Sequence, residues 1–283
     1  MDMTIMNRER QAAMAEAFRA RHQARPVLFL PNVWDALSAR IFAAAGHEGL
    51  ATSSAGVAWA LGYPDGEIAP WADVVAATGR IVRIAAGLPV TADIEGGYAE
   101  TPEIVGRHVA DIIGAGAVGI NLEDSRGGTV RAVDDAAARL QAARQAADEQ
   151  GVPIVINARC DILLLQHGAE EGRFDAAVER CRAYLAAGAD CVYPFGLRDP
   201  GLIAAFAQAV GAPINVTGRP GMPGAAELQQ LGVARITLAS ASTLVAMDAI
   251  RELAMNLRSS GDFESLDSSV HHPAAQKLFQ LKG

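Results

Sequence analysis

No uninterrupted apolar run in this chain of 283 residues approaches the roughly 20 needed to span a bilayer. Cationic surface is scarce too: 24 Lys and Arg stand against 32 Asp and Glu, a formal charge of −8, with no Lys/Arg run to offset it. That balance argues against nucleic acid or an anionic membrane as a partner. The three cysteines, Cys160, Cys181 and Cys191, make neither a CxxC pair nor an even-numbered framework. Reduced cytoplasm fits them better than a disulfide-stapled secreted fold. Met1 to Arg10 lacks the apolar core of a signal peptide, which points the same way. The histidines (His22, His47, His108, His167, His271 and His272) form no HxxxH or HExxH motif, and no serine sits in a GxSxG elbow. Zinc and triad hydrolases lose their support, and the histidines are left to surface or capping roles.

What is present is apolar bulk in a regular rhythm. At 51% hydrophobic residues the chain can bury a large core, and no linker divides it. Eight short apolar runs recur: Val27 to Pro31, Gly49 to Ser53, Pro89 to Ile94, Val118 to Leu122, Pro153 to Ala158, Asp190 to Tyr193, Pro213 to Val216 and Arg235 to Leu238. Amphipathic Ala-rich stretches such as Asp134 to Gln150 and Ala176 to Ala187 separate them, as in βα units. Gly46, Gly116 and Gly188 precede strands where a helix C-cap belongs. Eight units predict a (β/α)8 TIM barrel over residues 1–258. An open doubly wound sheet is the runner-up, and no phosphate loop follows a strand to support it. Residues 259–283 read as a C-terminal helical extension.

In a barrel the active site lies at the C-terminal ends of the strands. There the chain places Asp93 and Glu95 after the third run, Glu123 after the fourth and Arg159 after the fifth. A single acid at such a place is most often a helix cap; three together suit a hard cation such as Mg²⁺, and the arginine suits a carboxylate. Asp65, in the loop from Leu61 to Glu67, reaches the same centre. The Ser53-Ser54-Ala55-Gly56 turn offers backbone N–H groups to a ligand oxygen, or is a plain tight turn. Trp34, after the first run, is a candidate substrate contact, while Asn215 and Thr217 alternate around Val216, share one side of a strand and are read as ligand contacts in preference to a packed layer.

These residues resemble the isocitrate lyase and phosphoenolpyruvate mutase superfamily over essentially the whole chain. The likeness rests on Pro31 to Ala36, Thr52-Ser-Ser54 with Leu61 to Asp65, Ala92 to Tyr98, Gly119 to Asp124 and Asn157-Ala-Arg159. It implies that Asp65, Asp93, Glu95 and Glu123 carry Mg²⁺ (or Mn²⁺), mostly through water. It also implies that Arg159 binds a substrate carboxylate and that Ser53 to Ala55 hold the 2-oxo-acid end. The superfamily exchanges its last helix between subunits of a homodimer or homotetramer, and the segment from Pro273 to Leu281 resembles that helix.

Three departures narrow the expectation. The lyases' Lys-Lys-Cys-Gly-His loop is replaced by Asp124-Ser-Arg-Gly-Gly-Thr-Val-Arg, and their glutamate after the sixth strand by Phe195. Glu95 also stands where an aspartate is usual. What remains is a Mg²⁺-dependent lyase acting on a small 2-oxo or 2-hydroxy acid, with decarboxylation asking least of the protein because it needs an electron sink but no acid at the leaving group. Asp65, Glu123 and Arg159 are the catalytic candidates. The alternatives are C–P chemistry, with Arg126, Thr129 or Arg131 meeting a phosphonate, and a non-catalytic 2-oxo-acid-binding protein.

Overall fold

A computed structural model describes residues 8–280. Its strands are β1 (Leu28–Phe29), β2 (Asn32–Val33), β3 (Leu50–Thr52), β4 (Val90–Asp93), β5 (Gly119–Glu123), β6 (Ser125–Arg126), β7 (Thr129–Val130), β8 (Val155–Cys160), β9 (Cys191–Pro194), β10 (Asn215–Thr217) and β11 (Arg235–Thr237). Parallel pairing runs β2-β3-β4-β5-β8-β9 in one sheet and β1-β11-β10 in the other. The Val192↔Ile214 bridge joins β9 to β10, and chain continuity joins β1 to β2, so the order runs round a (β/α)8 barrel. All eight predicted runs supply barrel strands. The first is split because Leu30 donates to Ile236 O of β11 while Pro31, which has no N–H, offers only its carbonyl, to Ala51 of β3.

The helices are α1 (Arg8–Arg21), α2 (Ala36–Ala44), α3 (Ser54–Leu61), α4 (Trp71–Ile84), α5 (Pro102–Gly114), α6 (Val133–Glu149), α7 (Glu170–Ala186), α8 (Pro200–Val210), α9 (Ala225–Gln230), α10 (Ala241–Ser260) and α11 (His272–Phe279). Helix α1 lies at the N-terminal end of the barrel: Gln11 caps the Ile113 and Ala117 carbonyls, and Arg19 meets Asp190 at 2.8 Å. Contrary to the surface role expected of it, His22 at the end of this helix is buried, Nδ1 donating to Phe18 O at 2.8 Å and the ring standing edge-on to Phe18. The aromatic bulk of Phe18 leaves no room for a solvated imidazole.

Alternation along the strands sorts two environments. Outward residues such as Ile120, Ile154 and Ile156 pack with Ile112, Leu140 and Tyr184 of the helices into one continuous apolar cluster. Inward residues are polar: Thr91, Asn121, Asn157, Asn215, Arg235 and Thr237 are all buried. Arg235 Nη2 donates to Asn121 Oδ1 at 3.1 Å, linking β11 with β5 on the opposite side of the ring. Barrel interiors are more often filled by branched aliphatic layers.

The last turn of α10 carries the expected 258/259 boundary, since that helix continues to Ser260. Beyond it, α11 lies against α2, with Arg40 Nε donating to the Leu278 carbonyl. Leu281, the end of the segment likened to the exchanged helix, lies outside the described residues.

Candidate active site

The acids meet because β4 and β5 are neighbours, with Asp93 opposite Asn121 in register, and because the chain turns sharply after β4. Thr52 Oγ1 accepts from the Asp93 N–H at 2.8 Å, fixing the strand end. Glu95 then adopts φ +51°, an uncommon backbone state for a residue with a side chain and one often found at functional sites. Its carbonyl accepts from the Glu123 N–H at 2.9 Å, tying the two strand ends together. Its carboxylate accepts from Tyr98 Oη at 2.8 Å.

Helix α3 presents its N-terminus to this cluster. Ser53 caps it, Oγ accepting from Gly56 N–H at 3.2 Å. The Ser54 N–H donates to Asp93 and its hydroxyl to Asp65, so the turn read as a ligand cradle also steadies two of the acids. Ala55 is buried in the first turn of that helix. Gly56 is required here: a Cβ would come within 2.8 Å of Trp34 Cβ and 2.6 Å of Thr243 Oγ1. Trp34 therefore forms part of the wall behind α3.

Arg159 projects from β8 beside Glu123, their backbones in register, with Nη1 2.8 Å from Glu123 Oε2. Its other edge is a fork on Asp161, Nε to Oδ1 at 2.6 Å and Nη2 to Oδ2 at 3.0 Å. The guanidinium also lies over the Phe195 ring, 4.1 Å from its centroid. Three of its five N–H groups are thus engaged, which leaves one on each Nη for a ligand. Asp161 is a candidate site residue that the strand pattern missed. It is buried, it accepts from Ser125 Oγ at 2.5 Å, and its N–H donates to Asp124 Oδ1 at 2.8 Å. Asp124 in turn accepts from Arg180 at 2.9 Å and Tyr184 at 2.6 Å. The signal available was an acid two residues beyond the strand-end arginine.

The short segment after β5 is a hairpin, β6 paired with β7 across Gly127 and Gly128. Both glycines have positive φ (56° and 77°), as a two-residue turn of the I′ type demands. Arg126 pairs with Glu100 at 2.6 Å and Glu67 at 3.1 Å, and Arg131 with Asp135 at 3.2 Å. Arg126 is held by two acids, whereas Arg131 is held through Nη1 alone, its buried Nε and Nη2 having no partner among the described residues. Thr217 bonds Tyr193 Oη, whereas Asn215 lies deeper, its amide shared with Thr237 at 3.1 Å. Cys160 is buried in the outer apolar cluster, away from Arg159, as alternation requires.

Electrostatics reflect the crowding. Burial, then Asp65 and Asp93, push Glu95 up to about 7 against the opposing Tyr98 bond. Burial also raises Asp65, Asp93 and Glu123, with Arg159 counteracting in each case. Burial works against the charge of Arg159, but Glu123 and Asp161 outweigh it and its pKa goes up. Four oxygen-bearing acids around one already paired guanidinium fit a hard divalent cation. Among the described residues no three His, Cys, Asp or Glu side chains form a group that could hold a metal ion.

Comparison with known proteins bears on the family. The family model described as phosphoenolpyruvate phosphomutase matches residues 18–258. A solved protein of Burkholderia cenocepacia, provisionally assigned as a phosphonomutase, is 48% identical, with a TM-score of 0.81 over 86% of this chain and 99% of that one. The 2-methylisocitrate lyase of Escherichia coli is 33% identical over 71% of this chain and 69% of its own. An oxaloacetate decarboxylase of Ectopseudomonas mendocina is 26% identical over 87% and 85%. With barrel, strand-end acids and family match in agreement, the chain belongs to the phosphoenolpyruvate phosphomutase family and is an enzyme of the isocitrate lyase and phosphoenolpyruvate mutase superfamily.

Proposed function

We propose that this enzyme is a Mg²⁺-dependent lyase of small 2-oxo dicarboxylates, with oxaloacetate decarboxylation as its reaction. The observation that carries the reading is the pairing of a four-acid cluster with Arg159 under a hairpin that holds neither cysteine nor lysine. When bound, Mg²⁺ (or Mn²⁺) would supply Lewis-acid polarisation of the substrate's 2-oxo carbonyl. Asp65, Asp93, Glu95 and Glu123 would hold the ion. Arg159 takes the carboxylate next to the 2-oxo group through its remaining N–H groups, and Asp161 fixes the plane of that guanidinium. The C3–C4 bond breaks, its electrons pass into the 2-oxo system, carbon dioxide leaves, and a proton from water completes the methyl group. The hairpin offers no acid of its own: Ser125 is committed to Asp161.

Exposed apolar side chains along α10, among them Val245, Ile250 and Met255, favour a homodimer or homotetramer. No helix of the described residues is long and apolar enough to cross a membrane, and a cytoplasmic setting is part of the proposal. C–P chemistry is the second reading, favoured by the 48% identity to the Burkholderia protein. An NMR time course with Mg²⁺, with and without EDTA, against oxaloacetate, phosphonopyruvate, 2-methylisocitrate and alkylmalates separates the readings. EDTA-sensitive pyruvate from oxaloacetate above the free-metal background supports decarboxylation. Turnover of phosphonopyruvate alone replaces it with C–P chemistry, and binding without product replaces both with a 2-oxo-acid-binding role.

A further inference from the structure

The cations at the barrel mouth are not equally occupied. Arg159 is neutralised by Glu123 and Asp161, and Arg126 and Arg131 also have carboxylate partners. Arg219 has none: among the described residues its side chain makes no hydrogen bond or ion pair, only a contact over the Phe195 ring at 5.5 Å. It is half-buried, and its backbone is fixed. Gly218 N–H donates to Thr237 O at 2.8 Å, and Met222 N–H closes on Arg219 O at 3.1 Å across Pro220 and Gly221. Gly221 has φ +84°, so Arg219 opens a turn of type II with proline and glycine in their preferred places. The loop after the seventh barrel strand is where many barrels bind an anionic group.

Position in the ring supplies the rest. The acids stand on β4 and β5, whereas Arg219 follows β10, three strands round from β5. Phe195, packed against both Arg159 and Arg219, lies between them as a neutral spacer. A ligand with one end at the acids and Arg159 therefore extends its other end towards an uncompensated guanidinium. We infer that Arg219 determines specificity by taking the distal carboxylate of a four-carbon diacid. The inference rests on the proposed 2-oxo-acid site and deepens it, because it selects dianions over monocarboxylates.

Malate and lactate make a matched probe pair: both are 2-hydroxy acids, neither has a 2-oxo group to accept electrons, and only malate has a distal carboxylate. Calorimetric titration of each into wild type, Arg219→Gln and Arg219→Lys, all with Mg²⁺, tests the assignment. The expected result is a malate preference of about ten- to hundredfold in wild type, lost in Arg219→Gln and partly kept in Arg219→Lys, with lactate unchanged throughout. A malate preference that survives in Arg219→Gln assigns the distal carboxylate to another cation and overturns the inference. Equal loss of malate and lactate overturns it as well, making the residue structural. If wild type binds both acids equally, the site reading stands and the Arg219 inference fails. If wild type binds neither acid, with or without Mg²⁺, the site reading itself falls.

Discussion

Ile156 and Asn157 are consecutive residues of β8, both fully buried, yet they belong to unlike interiors. Ile156 faces the helices and joins the large apolar cluster. Asn157 faces the barrel axis, where its amide donates to Asn121 at 2.8 Å while its own Oδ1 has no partner among the described atoms. The outer layer is held by area and close packing. The inner column is held by directed bonds, several of them incomplete, and leads up to the acids. Stability and chemistry are thus separated by a single residue step along a strand.

Substitution on either side sharpens the contrast. Ile156→Ala is expected to cost about 2–5 kcal/mol, measured by denaturant unfolding, because the close-packed shell cannot refill the volume. Asp161→Asn, at the head of the polar column, is expected to lower turnover about a hundredfold with little change in melting temperature. The amide keeps one acceptor for the guanidinium but loses the charge that aligns it, and misorientation of that order carries such a penalty. A melting temperature that falls along with activity would make Asp161 structural instead.

Much of this division was legible in the sequence. The apolar runs of β4, β5 and β8 carry a charged residue at or next to their ends, so Asp93, Glu123 and Arg159 could be placed by alternation. The hairpin was not read, although Gly127-Gly128 between two short polar pairs is a turn signal, because two-residue strands carry too little periodicity to register. Asp161 escaped for a different reason: it lies beyond the end of β8, where side-chain direction depends on the bonds from Asp124 and Ser125 and not on strand period. His22 looked like a surface histidine until Phe18, one helical turn back, covered it.

That histidine provides a pH test at the opposite end of the barrel. Burial, then the charge of Arg235, lowers its pKa from 6.5 to about 3, so the folded state refuses a proton that the unfolded state accepts. Its contribution is present in full above pH 6.5 and is lost as pH falls from there towards 3, at about 1.4 kcal/mol per pH unit. Unfolding of wild type and His22→Gln across pH 4 to 7 isolates this group, and the variant is expected to show the shallower slope. The smallest effect belongs to Thr91, whose buried Oγ1 has no partner. Thr91→Val is expected to shift stability by under about 1 kcal/mol, towards a gain, since it removes an unsatisfied hydroxyl without changing shape. A loss of more than that would mean the inner column needs every polar atom it has.

The two-residue turn over the acids has a consequence for what becomes of the product. A roof pinned by Arg126 to Glu67 and Glu100 cannot wrap around a substrate and shut out bulk water as a long loop does. Under the proposed decarboxylation, and with no acid on the hairpin to choose a face, the carbon released from cleavage is expected to take its hydrogen from whichever side water reaches it. Oxaloacetate labelled stereospecifically at C3 and turned over in deuterated water would therefore yield a methyl group without handedness.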